Sequence, residues 1–250
     1  MGRKIAGGRH TPIAINRLTG PRADFARATA GIMAGNQQLA GQTITLRPKT
    51  LQQAFGLCPD RPFAHKPVQA FCSAVSVAPE FVLTARHGIE AGNRPRAVPL
   101  DEILVVFGVQ MLPGGKPRLR IAGRDAHAAK EAIERVENGD SEPDWALLRL
   151  DRPVRRSPVT LAPESVLVAG LAVVVIGHPS GLPMASAKAA TITRLQDRFF
   201  FANLDTYSRS RLTGVGRAQQ PPGRGARRGS GGRRQPRLVQ GREPAAPVPG

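Results

Sequence analysis

A histidine and an aspartate in this chain stand in settings that suit proton transfer. His87 follows the apolar run 81–85, and Asp144 precedes the apolar run 145–150. An imidazole takes up a proton near neutral pH and can activate a serine hydroxyl, while a buried carboxylate fixes the imidazole tautomer and stabilises the imidazolium. The two residues lie 57 positions apart, a gap that several strands can fill. Residues of these types could serve as a general base, His87, and as an acid, Asp144, that orients it.

Taken singly, each of these residues has a simpler interpretation. A histidine after a strand is usually a surface or core residue whose hydrogen bonds are satisfied, and an aspartate before a strand usually belongs to a turn. The catalytic interpretation therefore depends on the segments around His87 and Asp144.

The surrounding sequence alternates short apolar runs with glycine and proline turns. Such a pattern is typical of an all-β sandwich or barrel. Apolar residues make up 41% of the chain but aromatic residues only 4%, so we expect a core built mainly from Val, Leu, Ile and Ala. The predicted strands are 71–77, 81–85, 103–109, 118–122, 145–150, 173–176 and 199–204.

Two segments favour a helix. Residues 23–34 are rich in alanine and follow the turn-like pair Gly20-Pro21, which predicts a short helix. Residues 126–136 also have strong helix propensity but lie among the predicted strands, so helix and strand both stay open there.

Four segments together resemble the trypsin/chymotrypsin-like serine peptidases, most closely their bacterial glutamyl-endopeptidase-like branch. Each segment alone is weak, but the four occur in the family's order and spacing. They are FCSAVSVAP at 71–79 leading into LTARH at 83–87, DWALLRLDRPV at 144–154, IGHPSGLP at 176–183 and FFANLDTY at 200–207.

This resemblance implies an all-β, trypsin-like double β-barrel, in which part of 126–136 is a strand. It also implies a serine endopeptidase that hydrolyses peptide bonds through an acyl-enzyme, with His87 as the general base and Asp144 as its orienting acid. The substrates would be proteins or peptides. No cofactor is expected, and the five histidines show no spacing typical of a metal site.

The nucleophile of this scheme is not identifiable in the sequence. The family has a Gly-x-Ser-Gly loop after the fourth segment, whose glycines permit a tight turn and whose amides form the oxyanion hole. Ser208 and Ser210 stand there instead, beside Arg209 and Arg211, and we expect neither serine to be the nucleophile. The segment RGSGG at 228–232 has Arg where the first Gly belongs. We therefore expect an incomplete second barrel and an inactive chain.

The family also pairs the cysteine of the strand before the histidine with a cysteine directly after it. Gly88 stands at that second position, so Cys72 lacks the expected partner. Whether Cys72 pairs with Cys58 instead stays open at this point.

The composition changes abruptly after Tyr207. Residues 208–250 contain ten Arg, nine Gly and six Pro but only one Glu, so half of the net charge of +18 lies there. Such a segment cannot bury enough apolar area to offset the entropy of ordering, which predicts a disordered basic tail. We interpret it either as the translation of a shifted reading frame, so that the gene product is truncated or frameshifted, or as a solvated tail, and both interpretations stay open at this point.

An alternative is a non-catalytic binding protein that uses this tail on nucleic acid or on acidic surfaces. Arginines can contact phosphates, but the tail has no aromatic residue to stack on bases.

These observations divide the chain into an N-terminal extension at 1–55, a peptidase domain at 56–207 with a barrel boundary near 152–160, and the tail at 208–250. No apolar run reaches the length of a membrane span. The resemblance implies a secreted or periplasmic protein, but the N-terminal residues show no signal-peptide pattern, so the localisation stays unknown.

Overall fold

The computed structural model describes residues 13–89, 98–134, 144–196 and 199–204, together with the backbone of 215–217 and 240–241. Its two α-helices are α1 (Gly20–Ala28) and α2 (Leu51–Phe55). Its strands are β1 (Ile13–Ala14), β2 (Thr29–Ala34), β3 (Ile44–Thr45), β4 (Lys49–Thr50), β5 (Pro67–Val68), β6 (Cys72–Ala78), β7 (Phe81–Thr84), β8 (Ile103–Phe107), β9 (Arg120–Ile121), β10 (Ala126–Glu134), β11 (Ala146–Leu150), β12 (Ala172–Gly177), β13 (Ala185–Ser186), β14 (Ala190–Gln196), β15 (Phe199–Ala202), β16 (Val215–Arg217) and β17 (Gln240–Gly241).

Six strands close into the first barrel, in the order β10-β11-β7-β6-β2-β8. Every neighbouring pair is antiparallel, and β8 closes the ring by pairing with β10. The alternation along β11 explains how the core is filled, because Ala146, Leu148 and Leu150 are buried while the residues between them are partly exposed. Phe107 from β8 and Ile32 from β2 complete the same hydrophobic cluster.

Strand β2 comes from the segment expected to be an N-terminal extension. It pairs with β6 on one side and with β8 on the other, so the barrel cannot close without it. The domain boundary at residue 56 stays a prediction, but one strand of the barrel precedes that residue.

The helix predicted at 23–34 is correct only in its first part. Helix α1 ends at Ala28, where the hydroxyl of Thr29 donates to the carbonyl of Phe25 at 2.9 Å, and the chain continues as β2. Ile32 in the second part is fully buried in the barrel. Pairing with two neighbouring strands outweighs the helix propensity of the alanines in this segment.

The segment 126–136, for which helix and strand were both open, contains strand β10. Its first residues pair with β8 and its later ones with β11, with an irregularity between Ala129 and Glu131. Ala126 and Ala129 lie in two different hydrophobic clusters. The alanines of this strand therefore pack on both of its faces.

The second half of the molecule is a curled sheet with the strand order β1-β13-β12-β14-β15-β17, and β16 pairs with β12. Val173, Ile192 and Phe200 form its core. Within the described part of the chain no strand pairing joins the two ends of this sheet. The predicted double β-barrel with an incomplete second barrel is confirmed.

Only two pieces of the segment predicted as a disordered tail are described. The backbone of β16 pairs antiparallel with β12, and that of β17 pairs parallel with β15. The remaining residues of 208–250, with Ser208 and Ser210 among them, lie outside the described residues.

A buried ion cluster attaches the connection between the two halves to the first barrel. The Asp125 carboxylate is 7% exposed and accepts hydrogen bonds from Arg156 Nη2 at 2.6 Å and Arg118 Nη2 at 3.4 Å. Arg156 belongs to the connection between β11 and β12. Arg152 in the same connection donates to the carbonyl oxygens of Gly123 and Ala126. These contacts fix the path of the chain as it leaves the first barrel.

We expect Asp125→Asn to lower the free energy of unfolding by about 3 kcal/mol, because two partly buried guanidinium groups then lose their counter-ion. Urea denaturation of both proteins measures the difference. The matched control is Asp24→Asn, whose carboxylate pairs with Arg27 but is 66% exposed, and which should cost less than about 1 kcal/mol. Equal losses in the two variants would contradict a stabilising role for the buried cluster.

Candidate active site

The register between β7 and β11 brings His87 and Asp144 together. In this antiparallel pair Thr84 lies opposite Ala146. His87 follows the end of β7, in the short 3-10 turn Arg86–Gly88, and Asp144 precedes the start of β11. Because an antiparallel pair puts the end of one strand beside the start of the other, both residues lie at the same edge of the barrel.

The Asp144 carboxylate holds His87 through two atoms. Oδ1 accepts the backbone N–H of His87 at 2.8 Å, and Oδ2 contacts the ring nitrogen Nδ1. The two side chains are 36% and 35% exposed, so the pair lies at the surface of the barrel rather than inside it. A carboxylate at Nδ1 favours the tautomer with its proton on Nδ1, which leaves Nε2 as the basic nitrogen.

Opposing effects act on the carboxyl group of Asp144. Burial raises its pKa, but the hydrogen bonds from the ring and backbone of His87, together with the charges of His87 and Arg86, outweigh burial and hold the pKa below its ordinary value of 3.8. A lowered carboxyl pKa stabilises the fold above the ordinary value, and this contribution is lost as the pH falls through the folded-state pKa. Asp144 is therefore an anion throughout the pH range in which a histidine can act as a base.

Cys72 occupies the space beside the turn that carries His87. Cys58 and Cys72 are both free cysteines and are not joined by a disulfide. Cys58 is exposed, and Cys72 is buried. The thiol of Cys72 lies 3.4 Å from the hydroxyl of Thr84. A Cβ atom added to Gly88 would lie only 2.4 Å from Cys72 Sγ. The two chain segments therefore meet closely here without a covalent link, and the absence of a side chain at Gly88 permits that approach.

The structure describes two of the four predicted site residues, His87 and Asp144. His87 and Asp144 are in contact, as the sequence predicts. Ser208 and Ser210 lie outside the described residues, as does the segment 228–232.

The sequence does not predict the burial of His178 between the two halves. His178 is 4% exposed, and its backbone N–H donates to Ser73 Oγ in the first barrel at 2.8 Å.

Within the described ranges, no cluster of His, Cys, Asp and Glu side chains is arranged to hold a metal ion. The same ranges contain no helix that is both long and apolar enough to cross a membrane.

Comparison with known proteins gives one family. The chain matches the model of the trypsin-like peptidase domain over residues 72–226, which is more than half of its length. A comparison with curated proteins gives no match.

Three solved structures are similar. Human heparin binding protein has 16% identity and a TM-score of 0.44, with 78% of this chain and 70% of that one covered. An atomic-resolution structure of HBP has 18% identity and a TM-score of 0.42, covering 76% and 66%. A complex of kallikrein-related peptidase 10 with Zn²⁺ has 20% identity and a TM-score of 0.40, covering 59% and 70%.

The close approach of Gly88 to Cys72 predicts coupled effects on stability. Gly88→Ala should cost about 2 kcal/mol, because its Cβ would overlap the sulfur in a packed region. In a Cys72→Ala background the same substitution should cost less than half as much. Urea denaturation of the wild type, both single variants and the double variant gives the coupling energy. An equal cost of Gly88→Ala in both backgrounds would show that the sulfur does not set the limit.

The contact between His87 and Asp144 predicts a distinctive proton signal. The wild-type protein should show an imidazole N–H resonance far downfield of the amides in its proton NMR spectrum, and Asp144→Asn and His87→Gln should each abolish it. Asp101→Asn, which changes an exposed carboxylate elsewhere in the first barrel, serves as the control and should leave the signal in place. A signal that survives Asp144→Asn would contradict the pairing.

Proposed function

Since the chain belongs to the family of trypsin-like peptidase domains, we propose that His87 and Asp144 are the general base and the orienting acid of a serine endopeptidase site that lacks a working nucleophile. Membership of this family implies protein or peptide substrates. The assignment of the base and the orienting acid rests on one observation, the two-atom contact of the Asp144 carboxylate with the backbone and ring of His87.

The chemistry of such a site assigns a task to each residue. A serine hydroxyl attacks the carbonyl carbon of the scissile peptide bond while its proton passes to Nε2 of His87. Asp144 keeps the Nδ1 proton in a hydrogen bond and stabilises the imidazolium that forms. The imidazolium then protonates the departing amine, and the acyl group remains on the serine as an ester. Water, deprotonated by His87, hydrolyses that ester and regenerates the hydroxyl.

The environment of the pair is consistent with these tasks. The carboxylate is ionised because its pKa is held below the ordinary value, so it can balance a positive charge on the ring. The backbone hydrogen bond fixes the turn while the side-chain contact fixes the ring plane, and orientation of this kind supplies a large part of general-base catalysis.

The absence of a Gly-x-Ser-Gly sequence after Tyr207 supports the second part of the proposal. Loss of a serine nucleophile typically costs on the order of 10⁶ in turnover. The residual rate that survives such a loss comes largely from the oxyanion hole, which the same loop would supply. A chain without that loop should therefore show no measurable peptidase activity.

The alternative, a non-catalytic binding protein that uses the arginines of 208–250, rests on charge alone. Ten Arg and one Glu in that segment would attract any polyanion in a salt-dependent way. Nothing in the described residues favours nucleic acid over other acidic partners, so we place this function second.

We expect a fluorophosphonate probe of active serines to leave the purified chain unlabelled, because no hydroxyl is activated by His87. Labelling is read by intact-protein mass spectrometry, with an active serine peptidase in the same mixture to show that the probe is competent. His87→Ala is the matched variant and should behave like the wild type. Labelling of the wild type that His87→Ala abolishes would overturn the assignment of an inactive site, and Ser208→Ala and Ser210→Ala would then locate the nucleophile.

A further inference from the structure

His178 is buried where the two halves of the molecule meet. It follows β12 in the second half, and its backbone N–H donates to the hydroxyl of Ser73 on β6 of the first barrel at 2.8 Å. Its ring nitrogen Nδ1 lies 3.0 Å from the carbonyl oxygen of Leu182. Because a carbonyl only accepts, Nδ1 carries the proton and the neutral ring has a bare Nε2.

The bare nitrogen faces an apolar surface with little room. Nε2 is buried and has no hydrogen-bond partner among the described residues. A Cβ atom added to Gly31 of β2 would lie 3.3 Å from Nε2 and 2.9 Å from the Cβ of Ala70. If Nε2 took up a second proton, the imidazolium would be enclosed by Gly31 and Ala70, and its new N–H would face no acceptor. A buried charge without a partner is strongly unfavourable.

Two more hydrogen bonds join the same surfaces. The backbone N–H of Gln69 donates to the carbonyl of Gly181 at 2.9 Å, and that of Met184 donates to the carbonyl of Val109 at 2.8 Å. We call these two bonds, together with the bond from His178 to Ser73, the inter-barrel contact. All three bonds involve a residue of the segment 178–184, which carries the His178 ring.

Few ionisable groups surround this ring. Its own segment, 172–187, contains no other ionisable side chain, and neither do β2 and the loop 108–110. The segment 67–78 contributes only the thiol of Cys72. Helix α1, which packs on β12, carries Arg22, Asp24 and Arg27, of which Asp24 and Arg27 form an exposed pair. Among the side chains that the structure describes, no neighbouring charge is therefore positioned to compensate an imidazolium at His178.

We propose that proton uptake by His178 opens the inter-barrel contact, so that the joint between the two halves is acid-sensitive. The neutral ring fits the closed contact and the imidazolium does not. Opening gives the ring access to water, where both of its N–H groups can be hydrated. Protonation of His178 and closure of the inter-barrel contact therefore disfavour each other.

The pH window follows from the cost of charging the buried ring. Burial lowers the pKa of His178 from 6.5 to about 4, against a smaller opposing effect of the Leu182 carbonyl. A lowered histidine pKa means that the closed state binds the proton less well than the open state. The closed contact is thus fully favoured above pH 6.5 and progressively disfavoured from there down to about pH 4.

Native-state hydrogen exchange of the full chain tests this proposal. After correction for intrinsic exchange rates, the opening equilibrium of the amides of Gln69, His178 and Met184 should rise about thirtyfold between pH 7.5 and pH 5. In His178→Asn, whose side-chain amide can still donate to the Leu182 carbonyl but does not titrate, it should stay constant. His65→Asn, which removes an exposed histidine, is the matched control and should behave like the wild type.

Several results would overturn the proposal. One is the same pH dependence in the wild type and in His178→Asn, and another is no pH dependence in the wild type. A third is an equal rise for amides within β7 and β11, since that would mean unfolding of the whole first barrel. This comparison also separates His178 from His127, whose pKa is lowered by burial and by Arg152 but which lies inside the first barrel.

A measurement on the wild type alone covers the case in which His178→Asn does not fold. The Cε1 proton of His178 should keep the chemical shift of a neutral imidazole at pH 5. A His178 ring that is charged at pH 5 while the inter-barrel amides remain protected would refute the proposal.

Discussion

The register of one strand pair controls both the chemistry and the architecture of this molecule. With Thr84 opposite Ala146, the turn after β7 and the residue before β11 meet at one edge of the barrel. A shift by one residue would turn Leu148 and Leu150 out of the core and move the carboxylate away from the ring. The packing that keeps Leu148 and Leu150 buried is therefore also what keeps His87 beside Asp144.

The two halves depend on each other through close backbone approach rather than through large side chains. Gly181 has a φ of +79°, and a Cβ atom there would lie 2.2 Å from the carbonyl of Ala70. Only glycine fits that position, and it allows the turn after β12 to reach the first barrel. The buried imidazole of His178 lies in this tightly fitted region, where its backbone N–H donates to the hydroxyl of Ser73.

The sequence predicts the architecture well because the architecture depends on local patterns, and local patterns also single out His87 and Asp144, whose catalytic roles stay predictions. Short apolar runs, turns and the order of four segments are visible in one dimension, and so is the setting of His87 and Asp144. Strand β10 could not be assigned from the sequence, because its alanines favour a helix in isolation. The segment forms a strand here because it pairs with β8 and with β11. Strand β2 was missed for the same reason. The burial of His178 depends on a contact between segments about 100 residues apart, which no local pattern encodes.

The closure of only one of the two sheets has a consequence for self-association. In the first barrel every strand has a partner on each side, so the described residues of this barrel present no free edge strand to another molecule. The sheet of the second half has no such closure among the described residues, and Leu195 on β14 is 44% exposed. If this protein forms fibrils or domain-swapped oligomers, the second half supplies the strands, and the half that carries His87 and Asp144 stays intact within them.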